Sequence, residues 1–395
     1  MRTLVLTLLI FSFQPSYGIS PYLSIAVSSG MFKDDSVKTE KPVAFAPYGL
    51  VNIFNNPVIA CQVAAIGNIA RERSSGFQCG GIFNTAVEHK GFQLAGIINT
   101  SGKASGIQIG GIINHAHDGN SVQIAGLINN SHSDTINESE RQPMQISGLV
   151  NNSDGARVQI TGIANNCPSP TELQIAGIIN RCDDKTGTQI AGIANYCGES
   201  HGIQVAGIVN RCSYFRGAQI GLVNISDSCD GVAIGLINIV KTNGYIKLEL
   251  SGDEMSCANI GFRSGTRKIH GIVSVGLKPE HIAHPVWNYG IGVGTLIPVG
   301  NRTALGIDVM HHQVFYGHHS GENYVSRLNV GIDQVITQRI SLYSGVTLNL
   351  LYTFIDDSSF EETYGSIEPY HFGEFRLFNN DVKPWVGIKL GLRFF

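Results

Sequence analysis

Four cysteines recur at one offset: Cys167, Cys182, Cys197 and Cys212 fall 15 residues apart, each two positions after an Asn that ends a repeated heptapeptide. If successive copies stack in parallel register, their Cα atoms stand about 4.8 Å apart, inside the range a disulfide spans. The pairs Cys167–Cys182 and Cys197–Cys212 could then close in an oxidising compartment, or the four could remain a column of reduced, partly buried thiols. Both states are left open by the sequence. A straight ladder of thiolates makes a poor tetrahedron, which argues against zinc. Cys61, Cys79, Cys229 and Cys257 do not share the offset.

Other chemistry-bearing groups are weaker. His311, His312, His318 and His319 form two adjacent pairs without carboxylate or thiol neighbours of metal-site spacing. Asp356, Asp357, Glu361 and Glu362 lie in a polar stretch that lacks the Asp-x-Asp-x-Asp-Gly order of a calcium loop. The run GIGVGT, Gly290 to Thr295, looks like a dinucleotide fingerprint but sits inside an extended alternating segment with no helix behind it to receive a phosphate. Neither a GxSxG elbow nor an HExxH pair occurs. The sequence therefore offers no catalytic, cofactor-binding or metal residue, and a non-enzymatic protein is expected.

The elements that would carry these residues are set by an internal repeat. QLAGIIN (Gln93 to Asn99), QIGGIIN (Gln108 to Asn114) and QIAGLIN (Gln123 to Asn129) are followed, after an insertion, by QISGLVN, QITGIAN, QIAGIIN, QIAGIAN and QVAGIVN, the last ending at Asn210. Earlier copies begin at Gln62 and Gln78, and shortened ones at Gln219 and Ala233. A period of 15 residues at about 3.3 Å each makes a closed coil near 50 Å around. Stacked coils would superpose Gln on Gln and Asn on Asn, where side-chain amides can bond along the column because each holds a donor and an acceptor. Alternation fails at the Gly pair, so a bend at Gly110-Gly111 is expected to turn both Ile109 and Ile112 inward. Residues between copies, such as Ser200, are expected in exposed turns.

The reading is thus a β-solenoid over residues 45–240. One continuous large β-barrel, with the copies as a meander, is the alternative. It would place one sequence at both rims, and from Gln93 to Asn210 there is no Trp and one Tyr where aromatic girdles are needed.

After about residue 241 aromatics return and alternating runs lengthen to 10–15 residues, enough to cross an outer membrane when tilted. In the last run Val386, Ile388, Leu390, Leu392 and Phe394 alternate with Gly387, Lys389, Gly391 and Arg393, as lipid-facing and lumen-facing positions would. Residues 241–395 are read as an antiparallel outer-membrane-type barrel, and the fold class as all-β. Fewer than 16 strands would leave the lumen packed with side chains.

Composition agrees with a β-rich protein that shows little charge to its surroundings. Glycine supplies 47 of 395 residues and charged residues only 14 %. A net charge of −3 gives no basic excess to hold a phosphate backbone, so nucleic acid is not an expected partner. Arg2, the apolar stretch from Leu4 to Phe13 and small residues at Ser16 and Gly18 have the layout of a secretory signal peptide over residues 1–18, with a further segment over 19–44.

The run QIGLVNISDSCDGVAIGLINIVKTNGYIKLELSGDE, the later NIGFRSGTRK, the QIAGIIN-type copies and the Gly-rich final strand resemble a family of surface-repeat outer-membrane proteins found in leptospires and the Bacteroidota. The resemblance covers most of the mature chain. It implies a secreted envelope protein with tandem repeats and a barrel-like C-terminus, and no enzymatic activity to carry over. The shortened copies and the cysteines depart from the family pattern. Expected partners are outer-membrane lipid and host or envelope macromolecules, in a structural or adhesive role at the outer membrane or cell surface. The alternative is a pore for small solutes.

Overall fold

The computed structural model describes residues 43–133, 144–279, 285–316, 319–353, 372–373, 375–377 and 380–395. The expected signal peptide lies outside them. The described chain is all-β: a parallel β-solenoid of about twelve turns followed by a closed eight-strand antiparallel barrel. It divides into two compact units between Glu199 and Ser200.

In the first unit each coil pairs in parallel with the next at the sequence period. Asn84 faces Asn99, Asn99 faces Asn114, Gln93 faces Gln108 and Gln108 faces Gln123. The insertion after Ser133 does not disturb this stack, since Val122 pairs with Met144 and Asn129 with Asn151. A meander would pair neighbours antiparallel, so the continuous-barrel alternative is excluded.

The interior of the coil is polar. Around one turn the buried positions are Asn99, Ser101, Ala104, Gln108 and Gly110, while Ile107 and Ile112 are exposed and Ile109 is half-buried. The expectation that Ile109 and Ile112 point inward is therefore corrected. The Gly pair does bend the coil, but it turns the aliphatic side chains out. The reason is steric and electrostatic together: an amide column satisfies itself inside a narrow coil, and a Gly corner stacks too closely for branched side chains to fit within. An ideal Cβ built on Gly177 would lie 2.1 Å from the carbonyl oxygen of Gly162, the corner of the coil beneath. Ser200 is likewise not an exposed turn residue; it is buried, and its carbonyl accepts from Arg216 N at 2.7 Å.

The second unit holds the last turns and the barrel. Barrel strands run Tyr245–Gly252, Ala258–Gly265, His270–Lys278, Val286–Pro298, Thr303–Tyr316, His319–Val335, Ile340–Thr353 and Asn380–Phe394. Each pairs antiparallel with its neighbour, and the first closes on the last through Leu248 opposite Phe394 and Leu250 opposite Leu392. The final strand alternates as its sequence requires: Ile388, Leu390 and Leu392 are exposed, whereas Lys389 and Arg393 are buried in the lumen. Three short connections, 266–269, 299–302 and 336–339, share one rim with the start of the first strand and with Phe395.

Inside this unit the barrel ends the solenoid stack. Asn238, on the last coil, donates its backbone N–H to Ser264 Oγ at 2.9 Å and its side-chain amide to Ser264 O at 3.3 Å. A Cβ on Gly271 would meet the Gly235 carbonyl oxygen at 2.7 Å, the place a next repeat glycine would take. Open solenoid ends need such a cap.

Candidate functional site

Two amide ladders run inside the coils in opposite senses. Asn side chains donate forward: Asn84 to Asn99, Asn99 to Asn114 and Asn114 to Asn129 at 2.9–3.0 Å, each also bonding a backbone carbonyl. Gln side chains donate backward: Gln93 to Gln78, Gln108 to Gln93 and Gln123 to Gln108 at 2.6–2.9 Å. Buried amides in a low-dielectric interior are costly unless paired, and here nearly every one is paired twice. Where the pattern lapses a polar atom is orphaned. Ala233 stands where a Gln would, and Gln219 Oε1 has no partner.

The cysteine column belongs to this interior. Cys167 and Cys182 are in-register neighbours, both buried, at a position that other coils fill with Ala or Ser such as Ala116 and Ser131. Both thiols donate to the Ser169 carbonyl, at 3.4 and 3.3 Å. No disulfide joins any of the eight cysteines. Burial pushes the Cys182 thiol up to about 12, so it is inert as a nucleophile at neutral pH. Cys167 and Cys182 fill the interior at this position.

His311 and His312 do not share a face. His312 points into the lumen with Nδ1 3.0 Å from Asn288 Oδ1, while its neighbour His311 points outward and stacks on Tyr324. His318 and the side chain of His319 lie outside the described residues, as do Asp356, Asp357, Glu361 and Glu362. Gly290 to Thr295 lies within a barrel strand. Among the described residues no group of three or more metal-ligating side chains comes together.

What sequence reasoning missed is on the outside. Two residues before the repeat Asn of each copy from Gln78 to Asn195, Ile82, Ile97, Ile112, Leu127, Leu149, Ile163, Ile178 and Ile193 form a column in the first unit, each 36–44 % exposed. In the second unit Ile208, Leu222 and Leu236 occupy the matching position at 41–49 %. Flanking columns begin one residue before and one after the Gln. From Phe77 to Asn238 none of the Gln-to-Asn segments contains a charged residue or a histidine; Lys103, Asp118, Asp183 and Lys185 stand on the opposite arc. The signal was the Ile or Leu that follows the repeat Gly of each copy, where the corner interrupts the alternation.

The barrel also wears its aliphatics outward. Ile260, Val275, Ile291, Val293, Val346 and Ile388 are exposed, and Trp287 stacks on Phe315 with ring centroids 4.2 Å apart near the rim opposite the short turns. From Trp287 to Ile297 the outward face of one strand spans about 25 Å at a barrel tilt. The lumen is filled with ions. Arg263 grips Asp308 through two bonds of 2.9 and 2.7 Å and Glu249 at 2.8 Å, and Arg393 and Lys389 also reach Glu249, at 2.7 and 2.6 Å. Toward the other rim the turn 253–257 folds inward. Glu254 there accepts from Thr347, Asn349 and Trp385 at 2.9–3.2 Å, and Asp253 pairs with Arg327. Met255 packs among Val286, Val314, Val325, Leu351 and Trp385.

No family model and no curated protein matches this chain.

Proposed function

We propose that the chain is a non-enzymatic outer-membrane protein in which the barrel is an anchor and the solenoid an interaction module with a structural role. The carrying observation is the barrel itself: an outward aliphatic belt of about 25 Å, with aromatic rings near one rim, around a lumen of paired charges. The resemblance to surface-repeat outer-membrane proteins supports the same reading. A plugged eight-strand lumen argues against solute passage, because Glu249, Arg263, Asp308 and Arg393 neutralise one another across it and the turn 253–257 fills the far side.

The short-turn rim favours one orientation. Bacterial barrels hold their short turns on the periplasmic side. The last coil, which belongs to the same unit as the barrel, packs on that rim through Asn238 and Ser264, so this end of the repeats belongs on the periplasmic side, which favours a structural role over adhesion. Fractionation of cells tests the whole reading. The mature protein, cleaved after about Gly18, should stay with the outer membrane and shift its gel mobility on heating, and planar bilayers should show no steady channels. A mature protein wholly in the soluble periplasm would remove the anchor, and steady conductance would restore the pore.

A further inference from the structure

We infer that the aliphatic face of the solenoid is a lipid-docking surface, which lies against a phospholipid leaflet while the opposite arc faces water. The inference rests on the outer-membrane reading above and adds a second contact with the membrane, made by a module that does not span it.

The solenoid is apolar on the wrong side for a water-soluble coil. Its Gln and Asn ladders take the interior, so the Ile or Leu after the repeat Gly has no core to enter. Exposed apolar areas of this extent mark a site of contact on folded proteins. Three features select lipid as the occupant.

The first is the composition of the face. Every copy from Ile82 to Leu236 uses Ile or Leu at its most exposed position, and the segments carry no charge. Protein interfaces concentrate their energy in Trp, Tyr and Arg, none of which appears there. The central column of Ile and Leu fits a fluid hydrocarbon surface.

Backbone satisfaction is the second. Coil-to-coil bonds such as Ile97 N to Ile82 O at 2.9 Å and Ile112 N to Ile97 O at 3.0 Å consume the polar groups along the stack, even at the corners. Along the first unit these bonds pair the backbone N–H of the exposed column from Ile82 to Ile193, which suits contact with acyl chains.

Continuity is the third, and it lies within the second unit. Gly235, flanked by the exposed Ile234 and Leu236, packs directly against Gly271 of the third barrel strand. That strand goes on to expose Val275 and Leu277 in the barrel belt. The aliphatic arc of the last coil and the belt thus meet on one stack.

The test uses the full chain reconstituted in vesicles of phosphatidylethanolamine and phosphatidylglycerol. A benzophenone-bearing amino acid replaces Ile163 or Ile178 on the face, Lys103 or Lys185 on the opposite arc, or Val293 on the barrel belt. Heat-modifiable migration checks that each variant is folded. After irradiation, lipid adducts at Ile163 and Ile178 should approach the yield at Val293 and exceed that at Lys103 and Lys185 several times. A crosslinked species of twice the chain mass, without lipid adduct, would replace the leaflet by a second copy. Labelling at Val293 with none at Ile163 or Ile178 overturns the docking surface alone. No lipid adduct at Val293 overturns the outer-membrane reading, and the inference falls with it.

Discussion

Replacing an interior amide and an exterior aliphatic two residues apart should invert the usual ranking of core substitutions. Asn165 is buried and holds four bonds: it accepts from Asn151 at 3.0 Å and donates to Asn180 at 2.9 Å, to Ile175 O at 2.7 Å and to Gln159 O at 3.2 Å. Asn165→Ala removes all four and leaves buried partners short of a donor or acceptor. At about 1–3 kcal/mol for each group left unsatisfied, and with some relaxation onto remaining partners, the loss is about 3–5 kcal/mol. Ile163 is 38 % exposed, so Ile163→Ala gives up little transfer free energy and should cost about 1 kcal/mol or less, against 2–5 for the same change in an ordinary core. Hydrogen exchange in detergent, read on peptides covering 145–180, reports the local opening free energy of these coils. Asn165→Ala should speed exchange across the neighbouring coils, and Ile163→Ala should leave it near wild type. If Ile163→Ala loosens the stack more than Asn165→Ala, the polar interior is wrong.

Further outcomes follow from other contacts. Gly177→Val or Gly192→Val would press a Cβ within 2.1–2.2 Å of the carbonyl below, and backbone on backbone cannot yield; each should cost more than about 3 kcal/mol by the same exchange measurement, while Lys185→Ser on the exposed arc should be near neutral. Alkylation of the folded protein near pH 8 should modify the exposed Cys257 first and the buried Cys182 last; after forced oxidation, peptide mapping should give Cys167–Cys182, and a sole Cys167–Cys197 product would contradict the parallel stack. Burial drives the His89 imidazole down to about 4, so the folded state keeps it neutral while the unfolded chain takes up a proton below about 6.5. Stability is then full above about pH 6.5 and falls as pH drops toward 4, by up to about 3 kcal/mol from this residue, and His89→Gln should flatten that slope in denaturant titrations.

The sequence by itself determined the repeat length, the amide ladders and the change of architecture near residue 241. Those features are local and periodic: fifteen residues close one coil, identical amides are best partnered by copies of themselves, and alternation in Val386 to Phe394 assigns both faces of a strand. The cysteine column was legible for the same reason, since Cys167 and Cys182 share a register offset. Tertiary structure alone decided which way the coil faces. Period and composition are the same whether Ile112 or Asn114 points inward, and the usual rule that aliphatics are buried chose wrongly. What settles the matter is how closely stacked glycine corners approach and how completely the amides bond, and both are distances between residues one coil apart. The separation of His311 from His312 and the cap formed by Ser264 and Gly271 on the last coil were hidden likewise. A strand turns adjacent side chains to opposite faces only once its register is known, and a cap joins segments 26 residues apart that no repeat relates.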